Sequence, residues 1–140
     1  MPGWAKVVLA IIGILLALLI AGGFITYNWV MKNKGQFTAV RDEGVAFGRG
    51  KDSAQCVDAA LARLQGTMMA SVQARLFAAG CLTTATDSPA LCAGVPPESE
   101  IMRGAQWTVE QCRKRGVADQ QGCTQIFQEV EQHCRRAPSR

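Results

Sequence analysis

Residue types that usually carry catalysis are scarce in this sequence. His133 is the only histidine, so a catalytic triad or a cysteine–histidine dyad would have to use it. It directly precedes Cys134 near the end of the chain, where we expect a solvent-facing side chain. The G-x-S-x-G, P-loop and G-x-G-x-x-G motifs are absent. The sequence therefore predicts no catalytic residue and a protein that is not an enzyme, with an enzyme using His133 as the least favoured alternative.

Closely spaced cysteines are also missing. Neighbouring cysteines are at least 11 positions apart, whereas zinc sites usually use C-x₂₋₄-C pairs or several histidines. Thiol oxidoreductases usually carry C-x-x-C at the start of a helix. We therefore expect no metal and no other cofactor. The net charge of +4 arises from mixed acidic and basic residues without a basic stripe interleaved with aromatics, so nucleic acid is not an expected partner.

A long stretch near the N-terminus lacks charge. No charged residue lies between Lys6 and Lys32, and the apolar part of this stretch runs from Val7 to Ile25. As a helix, its 19 residues would span about 28 Å, close to the ~30 Å hydrocarbon core of a bilayer. Aromatic residues of the kind enriched at membrane interfaces flank it at both ends, namely Trp4, Tyr27 and Trp29. Residues 1–31 are therefore predicted to form one transmembrane helix.

A cleavable signal peptide is the alternative for this segment, because the small residues at positions 21–23 resemble a cleavage site. The apolar run continues past them to an aromatic edge, which favours an uncleaved signal-anchor. Gly13, Ala17 and Ala21 recur every four residues and form one small-residue face. Such a face can bring two membrane helices together. A homodimer is therefore one interpretation, and the general abundance of Ala and Gly in membrane helices is the other.

Two properties disagree about the side of the membrane on which the rest of the chain lies. Lys32, Lys34 and Arg41 follow the span and Lys6 precedes it, so the positive-inside rule alone favours the cytoplasm. Six cysteines favour the opposite side, because disulfides persist outside the reducing cytosol. We give the cysteines more weight, since the charge rule weakens for long translocated domains. Arginine outnumbers lysine ten to five, which is typical of GC-rich bacteria, so we expect a bacterial inner membrane with the soluble domain in the periplasm.

The chain after the span is predicted to be all-α. Glycines among mixed charges predict a glycine-rich linker over residues 32–51. Residues 52–134 are predicted to form a disulfide-rich helical domain, and residues 135–140 a basic tail. A domain of roughly 85 residues buries only a thin core, so covalent cross-links are expected to stabilise it.

Three main helices are predicted within this domain. Their expected bounds are 52–80, 98–115 and 119–134. Asp52 or Ser53 is the expected cap of the first helix, with a bend at Gly66 and a stop at Gly80. Asp119 is the expected cap of the third. Helical spacing predicts that the core-facing stripe of the second helix consists of Ile101, Met102, Ala105, Val109 and Cys112.

The six cysteines are predicted to form three disulfides. Cys112 and Cys123 lie at equal distances from the turn at residues 117–118, so an antiparallel helical hairpin places them opposite each other. Cys123 and Cys134 cannot pair, because eleven helical residues separate them by roughly 16 Å. The remaining predicted pairs are Cys81 with Cys92, and Cys56 with Cys134.

These features favour a single-pass, membrane-anchored, extracytoplasmic helical subunit that acts as a scaffold or accessory partner of another protein. A helical module that binds a lipid or small apolar ligand at the membrane surface is the alternative. The side chains expected to line such a pocket are Met68, Met69, Met102 and Trp107. Met68, Met69 and Trp107 are also the candidate contact residues for a partner, with core filling as the competing interpretation.

Overall fold

The computed structural model describes residues 2–136. Helices make up 79% of the structure, and residues 2–136 contain no strand, which confirms the all-α prediction. The helices are α1 (Gly3–Gly48), α2 (Ser53–Leu61), α3 (Met68–Thr84), α4 (Pro89–Cys92), α5 (Ile101–Lys114) and α6 (Gln120–Arg136). The chain forms two compact units, one ending at Gln36 and the other beginning at Phe37.

The first unit is the N-terminal part of α1. Residues 6–32 are all exposed, and the apolar side chains of Leu19 and Ile20 are each 72% exposed. Among the described residues, α1 is the one helix long and apolar enough to cross a membrane, and an N-terminal signal sequence has the same properties. Among residues 2–136, no other element comes within 4 Å of the position that a Cβ of Gly13 would occupy. The predicted role of the small-residue face therefore stays a prediction.

The predicted linker over residues 32–51 is instead helical as far as Gly48. Glycine density indicated flexibility, but Gly44 and Gly48 are buried where the C-terminal end of α1 crosses α3. A Cβ on Gly44 would overlap the carbonyl oxygen of Phe77, and one on Gly48 would overlap that of Cys81. The glycines therefore permit close backbone approach rather than disorder. The helix ends at Gly48, and Gly50 in the turn that follows has a φ of 75°, which suits a residue without a Cβ.

The predicted first domain helix is divided into α2 and α3. It begins as expected, because Asp52 and Gln55 form a capping box with Asp52 Oδ1 accepting from the Gln55 amide at 2.8 Å. The expected bend is a complete break, since Gly66 has a φ of 71° and Thr67 caps α3. Gly80 does not end the helix, which continues to Thr84. A Cβ on Gly80 would overlap the Arg41 carbonyl oxygen, so this glycine also serves helix packing.

Helix α6 is the centre of the second unit. Asp119 caps it as predicted, with Oδ1 accepting from the Gly122 amide at 2.9 Å. Ser71 Oγ contacts Asp119 Oδ2 at 3.2 Å and Arg75 Nε contacts Glu129 Oε1 at 2.7 Å, so α3 and α6 run parallel. The fully buried core includes Phe77, Ile126, Phe127 and Val130. Of the predicted basic tail, Arg135 and Arg136 belong to α6, and residues 137–140 lie outside the described residues.

The predicted core-facing stripe of α5 is wrong except for Cys112. Ile101, Met102, Ala105 and Val109 are exposed, and the buried face consists of Gly104, Trp107, Thr108 and Cys112. Trp107 is 8% exposed and packs edge-on against Phe127, with ring centroids 5.8 Å apart. Gly104 admits the Glu131 side chain of α6 where any Cβ would collide with it. The large indole and the small glycine thus decide which face of α5 is buried.

Candidate functional site

All six cysteines are paired. The predicted Cys112–Cys123 bridge is confirmed, with Cα atoms 5.9 Å apart across the α5–α6 hairpin. The other two predicted pairings are wrong, because Cys56 bonds Cys81 and Cys92 bonds Cys134. The break between α2 and α3 folds α2 back onto α3, which brings the first pair together. The single turn of α4 packs on the C-terminal end of α6, which brings the second pair together.

The three bridges differ in burial. The four cysteines of the Cys56–Cys81 and Cys112–Cys123 bridges are 0% exposed and belong to the core. Cys92 and Cys134 are partly exposed. Together the bridges tie every helix from α2 to α6 to a neighbour. Three closed disulfides indicate that this unit folds in an oxidising compartment.

The side chains predicted to contact a ligand or a partner lie in three different places. Trp107 is inside the core, and its Nε1 has no hydrogen-bond partner among residues 2–136. Met68 is 82% exposed and Met69 38% exposed at the start of α3, whereas Met102 is 74% exposed at the start of α5. Because α3 runs parallel to α6 and α5 runs antiparallel to it, the starts of α3 and α5 lie at opposite ends of α6. These four side chains do not line a common cavity.

His133 is more buried than the sequence suggests. Its side chain is 17% exposed, and its Nε2 lies 2.9 Å from Asp87 Oδ1. The pair joins the loop before α4 to α6, close to the Cys92–Cys134 bridge. The structure therefore gives His133 a structural contact, which its sequence position beside a cysteine did not reveal.

A groove with a cavity volume of about 610 Å³ lies beside His133. Its lining residues come from three helices and are Arg41, Leu76, Ala79, Leu82, Thr83, Glu129, Gln132, His133 and Arg136. The floor is apolar, with Leu82 only 4% exposed. Arg75 neutralises Glu129, while neither Arg41 nor Arg136 forms a salt bridge within residues 2–136. The groove therefore combines an apolar floor with two uncompensated guanidinium groups.

A second surface feature lies on α5. The four exposed apolar residues of this helix, here called the outer row, are Ile101, Met102, Ala105 and Val109. Ile101 is 77% exposed, Met102 74% and Val109 41%. At 3.6 residues per turn these four positions fall within about 100° of the helix circumference. The outer row is thus an apolar strip that residues 2–136 leave exposed along its length.

Two carboxyl groups of the second unit, those of Glu43 and Glu110, have pKa values below the ordinary one. A hydrogen bond from Arg63 holds the pKa of Glu43 below its ordinary value, with Arg63 Nη2 at 2.5 Å from Glu43 Oε1. The same guanidinium stacks on Phe77, 3.8 Å from the ring centroid, so it connects the end of α1 to α3. On α5, a hydrogen bond from Lys114 lowers the pKa of Glu110.

Within residues 2–136 no three His, Cys, Asp or Glu side chains are grouped so that they could hold a metal ion. Comparison of the chain with protein-family models, with curated proteins and with solved structures finds no match.

Proposed function

We propose that this protein is a single-pass subunit of a bacterial inner membrane whose disulfide-bonded domain acts in the periplasm as a scaffold or accessory partner. The observation that carries the proposal is the combination, in one chain, of a helix with a long exposed apolar stretch and three closed disulfides. The helix supports anchoring, and the disulfides support an oxidising compartment. The outer row of α5 supports an interaction role, because exposed apolar strips commonly mark contact surfaces.

An uncleaved anchor is favoured over a removed signal peptide by the way α1 ends. The helix is unbroken from Gly3 to Gly48, and its last turns pack on α3 through Gly44 and Gly48. Its C-terminal part therefore belongs to the core of the second unit. The small residues at positions 21–23, which resemble the cleavage site of a signal peptide, lie within this unbroken helix.

Three measurements on the full-length protein in a bacterial host test this proposal. The protein is expected in the membrane fraction after alkaline carbonate washing, with an intact mass that includes residues 2–31. Protease added to spheroplasts is expected to degrade the domain, whereas protease added to intact cells is expected to leave it intact. A soluble, N-terminally shortened product, or a domain protected in spheroplasts and accessible only in inverted vesicles, would contradict the anchor or its orientation.

The groove beside His133 favours a second candidate function, the binding of a single-chain amphiphile with an anionic head. Leu76, Ala79 and Leu82 would contact an alkyl chain, and Arg41 and Arg136 would bind the head group by charge-assisted hydrogen bonds. The lining differs from the one predicted for a lipid or small apolar ligand, because it contains two arginines and none of the predicted methionines.

A fluorescent long-chain carboxylate, titrated into the full-length protein in a non-ionic detergent, tests this candidate. Arg41→Gln is expected to weaken binding at least fivefold, and Arg49→Gln to leave it unchanged. Arg49 is the matched control because it is exposed near the end of α1 and does not line the groove. Equal binding by both variants and the wild type would exclude the groove as the site.

A further inference from the structure

We propose that the outer row of α5 is a self-association surface on which two copies of this chain pair through antiparallel α5 helices. The inference deepens the proposed function and rests on it, since it names the partner of the α5 surface as a second copy held in the same membrane. It is independent of the small-residue face in the first unit.

The first argument is the degree of exposure. Ile101 and Met102 are among the most exposed large apolar side chains of the second unit, at 77% and 74%. The adjoining face of α5 is already buried against α6 through Trp107 and Cys112. A helix that is apolar over such a wide part of its circumference is normally covered on all of that part. Leaving the outer row in water costs about 25 cal/mol for every Å² of apolar surface.

The second argument is the symmetry of the outer row. Ala105 lies midway between Ile101 and Val109. In an antiparallel pair centred on Ala105, Ile101 of each copy meets Val109 of the other. The small alanine at the centre lets the two helix backbones approach closely. A two-fold interface requires this kind of self-complementary surface.

The third argument is charge. Glu98 precedes α5 and Arg113 lies in its last turn, and neither forms a salt bridge within residues 2–136. Antiparallel pairing about Ala105 brings Glu98 of one copy beside Arg113 of the other, twice per dimer. Parallel pairing would instead align like charges. The charge distribution thus selects the antiparallel orientation.

The size of the surface determines where the pair forms. Stable dimers in dilute solution usually bury about 1,600 Å² in total, and one helix face per copy buries less than that. Two chains confined to one membrane have a much higher effective concentration than free chains, so a weak interface is sufficient there. The dimer is therefore expected in membranes and not in dilute detergent solution.

Site-specific photo-crosslinking of the full-length protein in its host membrane tests the inference. A photoreactive phenylalanine analogue replaces Ile101 in one variant, so that Ala105 stays small, and Glu110 in the control, which is exposed on another side of α5. The Ile101 position is expected to give a product of twice the 15.0 kDa chain mass. The Glu110 position is expected to give at least fivefold less.

Charge reversal distinguishes a specific antiparallel pair from non-specific crosslinking of an exposed position. In the Ile101 crosslinking background, Glu98→Arg and Arg113→Glu are each expected to reduce the dimer product severalfold, and the double reversal to restore it. Non-reducing mass analysis confirms in each variant that the three disulfides are intact. Equal dimer yield at both positions, no rescue by the double reversal, or a product with a different protein only would overturn the inference.

Fractionation of the same cells separates this result from the proposed function. If the chain is in the membrane fraction and no dimer forms at the Ile101 position, the self-association inference is wrong while the anchored subunit remains supported. If the chain is not in the membrane fraction, the proposed function itself is wrong.

Discussion

Three glycines set the distance between the end of α1 and α3. Gly44 and Gly48 lie on α1 and Gly80 on α3, and each faces backbone atoms of the other helix. Sequence reasoning interpreted the first two as linker residues and the third as a helix stop, because glycine in isolation signals flexibility or termination. Glycine also allows two helix backbones to approach closely, and this role becomes visible only when the neighbouring helix is known.

Gly44→Ala is expected to destabilise the second unit by about 1–3 kcal/mol, because the added methyl group overlaps the Phe77 backbone. Gly35→Ala is the matched control in the same helix, since within residues 2–136 no other element comes within 4 Å of its Cβ position. It is expected to be stabilising by about 0.5–1 kcal/mol through helix propensity. Chemical unfolding of the full-length protein in detergent measures both, and equal effects of the two substitutions would contradict the packing role of Gly44.

Trp107 is a core residue by position, so its substitutions are expected to change stability. Trp107→Ala is expected to cost about 3–5 kcal/mol through the cavity it leaves beside Phe127. Trp107→Phe is expected to cost less than half as much, because it keeps the ring contact and removes a buried N–H without a partner, a group that costs about 1–3 kcal/mol. Thermal unfolding distinguishes the two, and a Trp107→Ala variant as stable as the wild type would refute the core assignment.

At the scale of elements, the apolar-run, capping and hairpin signals predict the structure correctly, whereas features that depend on distant partners cannot be predicted from them. The apolar run of α1, the Asp52 and Asp119 caps and the Cys112–Cys123 hairpin depend on residues close in sequence, and the structure has all four. The buried face of α5 depends on the α6 side chains that it packs against. The hydrophobic periodicity of α5 carries no information about those side chains. The Cys56–Cys81 bridge likewise depends on the fold-back of α2 onto α3.

The contact of α1 with the rest of the second unit is expected to depend on pH through Glu43. Its pKa is lowered from the ordinary value of 4.5 by the hydrogen bond from Arg63. A carboxyl whose pKa is lower in the folded state adds stability above its unfolded pKa, and this stability is lost as the pH falls through the folded value. The loss therefore lies below pH 4.5.

Glu43→Gln is expected to remove that part of the acid dependence and to change neutral-pH stability by less than about 1 kcal/mol, because the ion pair is exposed. Asp58→Asn is the control, since Asp58 is exposed and forms no salt bridge within residues 2–136. Urea midpoints at a series of pH values provide the comparison. If wild type and Glu43→Gln lose stability in parallel below pH 4.5, the assignment to Glu43 is wrong.

At the scale of the whole molecule, the disulfides compensate for a small core. They close segments of different length, with sequence separations of 42 for Cys92–Cys134, 25 for Cys56–Cys81 and 11 for Cys112–Cys123. Longer closed loops restrict the unfolded chain more. The bridge that sequence reasoning placed correctly is thus the one expected to contribute least.

Replacing both cysteines of one bridge by serine is expected to lower stability by about 4 kcal/mol for Cys92–Cys134 and about 3 kcal/mol for Cys112–Cys123. Mild reductant is expected to open Cys92–Cys134 first, because it alone is partly exposed. Time-resolved alkylation with peptide mapping gives the order of opening. Simultaneous opening of all three bridges would indicate global unfolding and contradict the predicted order.

The central claim is that the second unit folds outside the reducing cytosol while the chain stays attached to the membrane. Maleimide labelling of the full-length protein from the membrane fraction, trapped with acid before lysis and analysed by intact mass, tests it most directly. The account predicts no labelled thiol before reduction and six after it. Six labelled thiols before reduction, on a chain that carries residues 2–31, would contradict it.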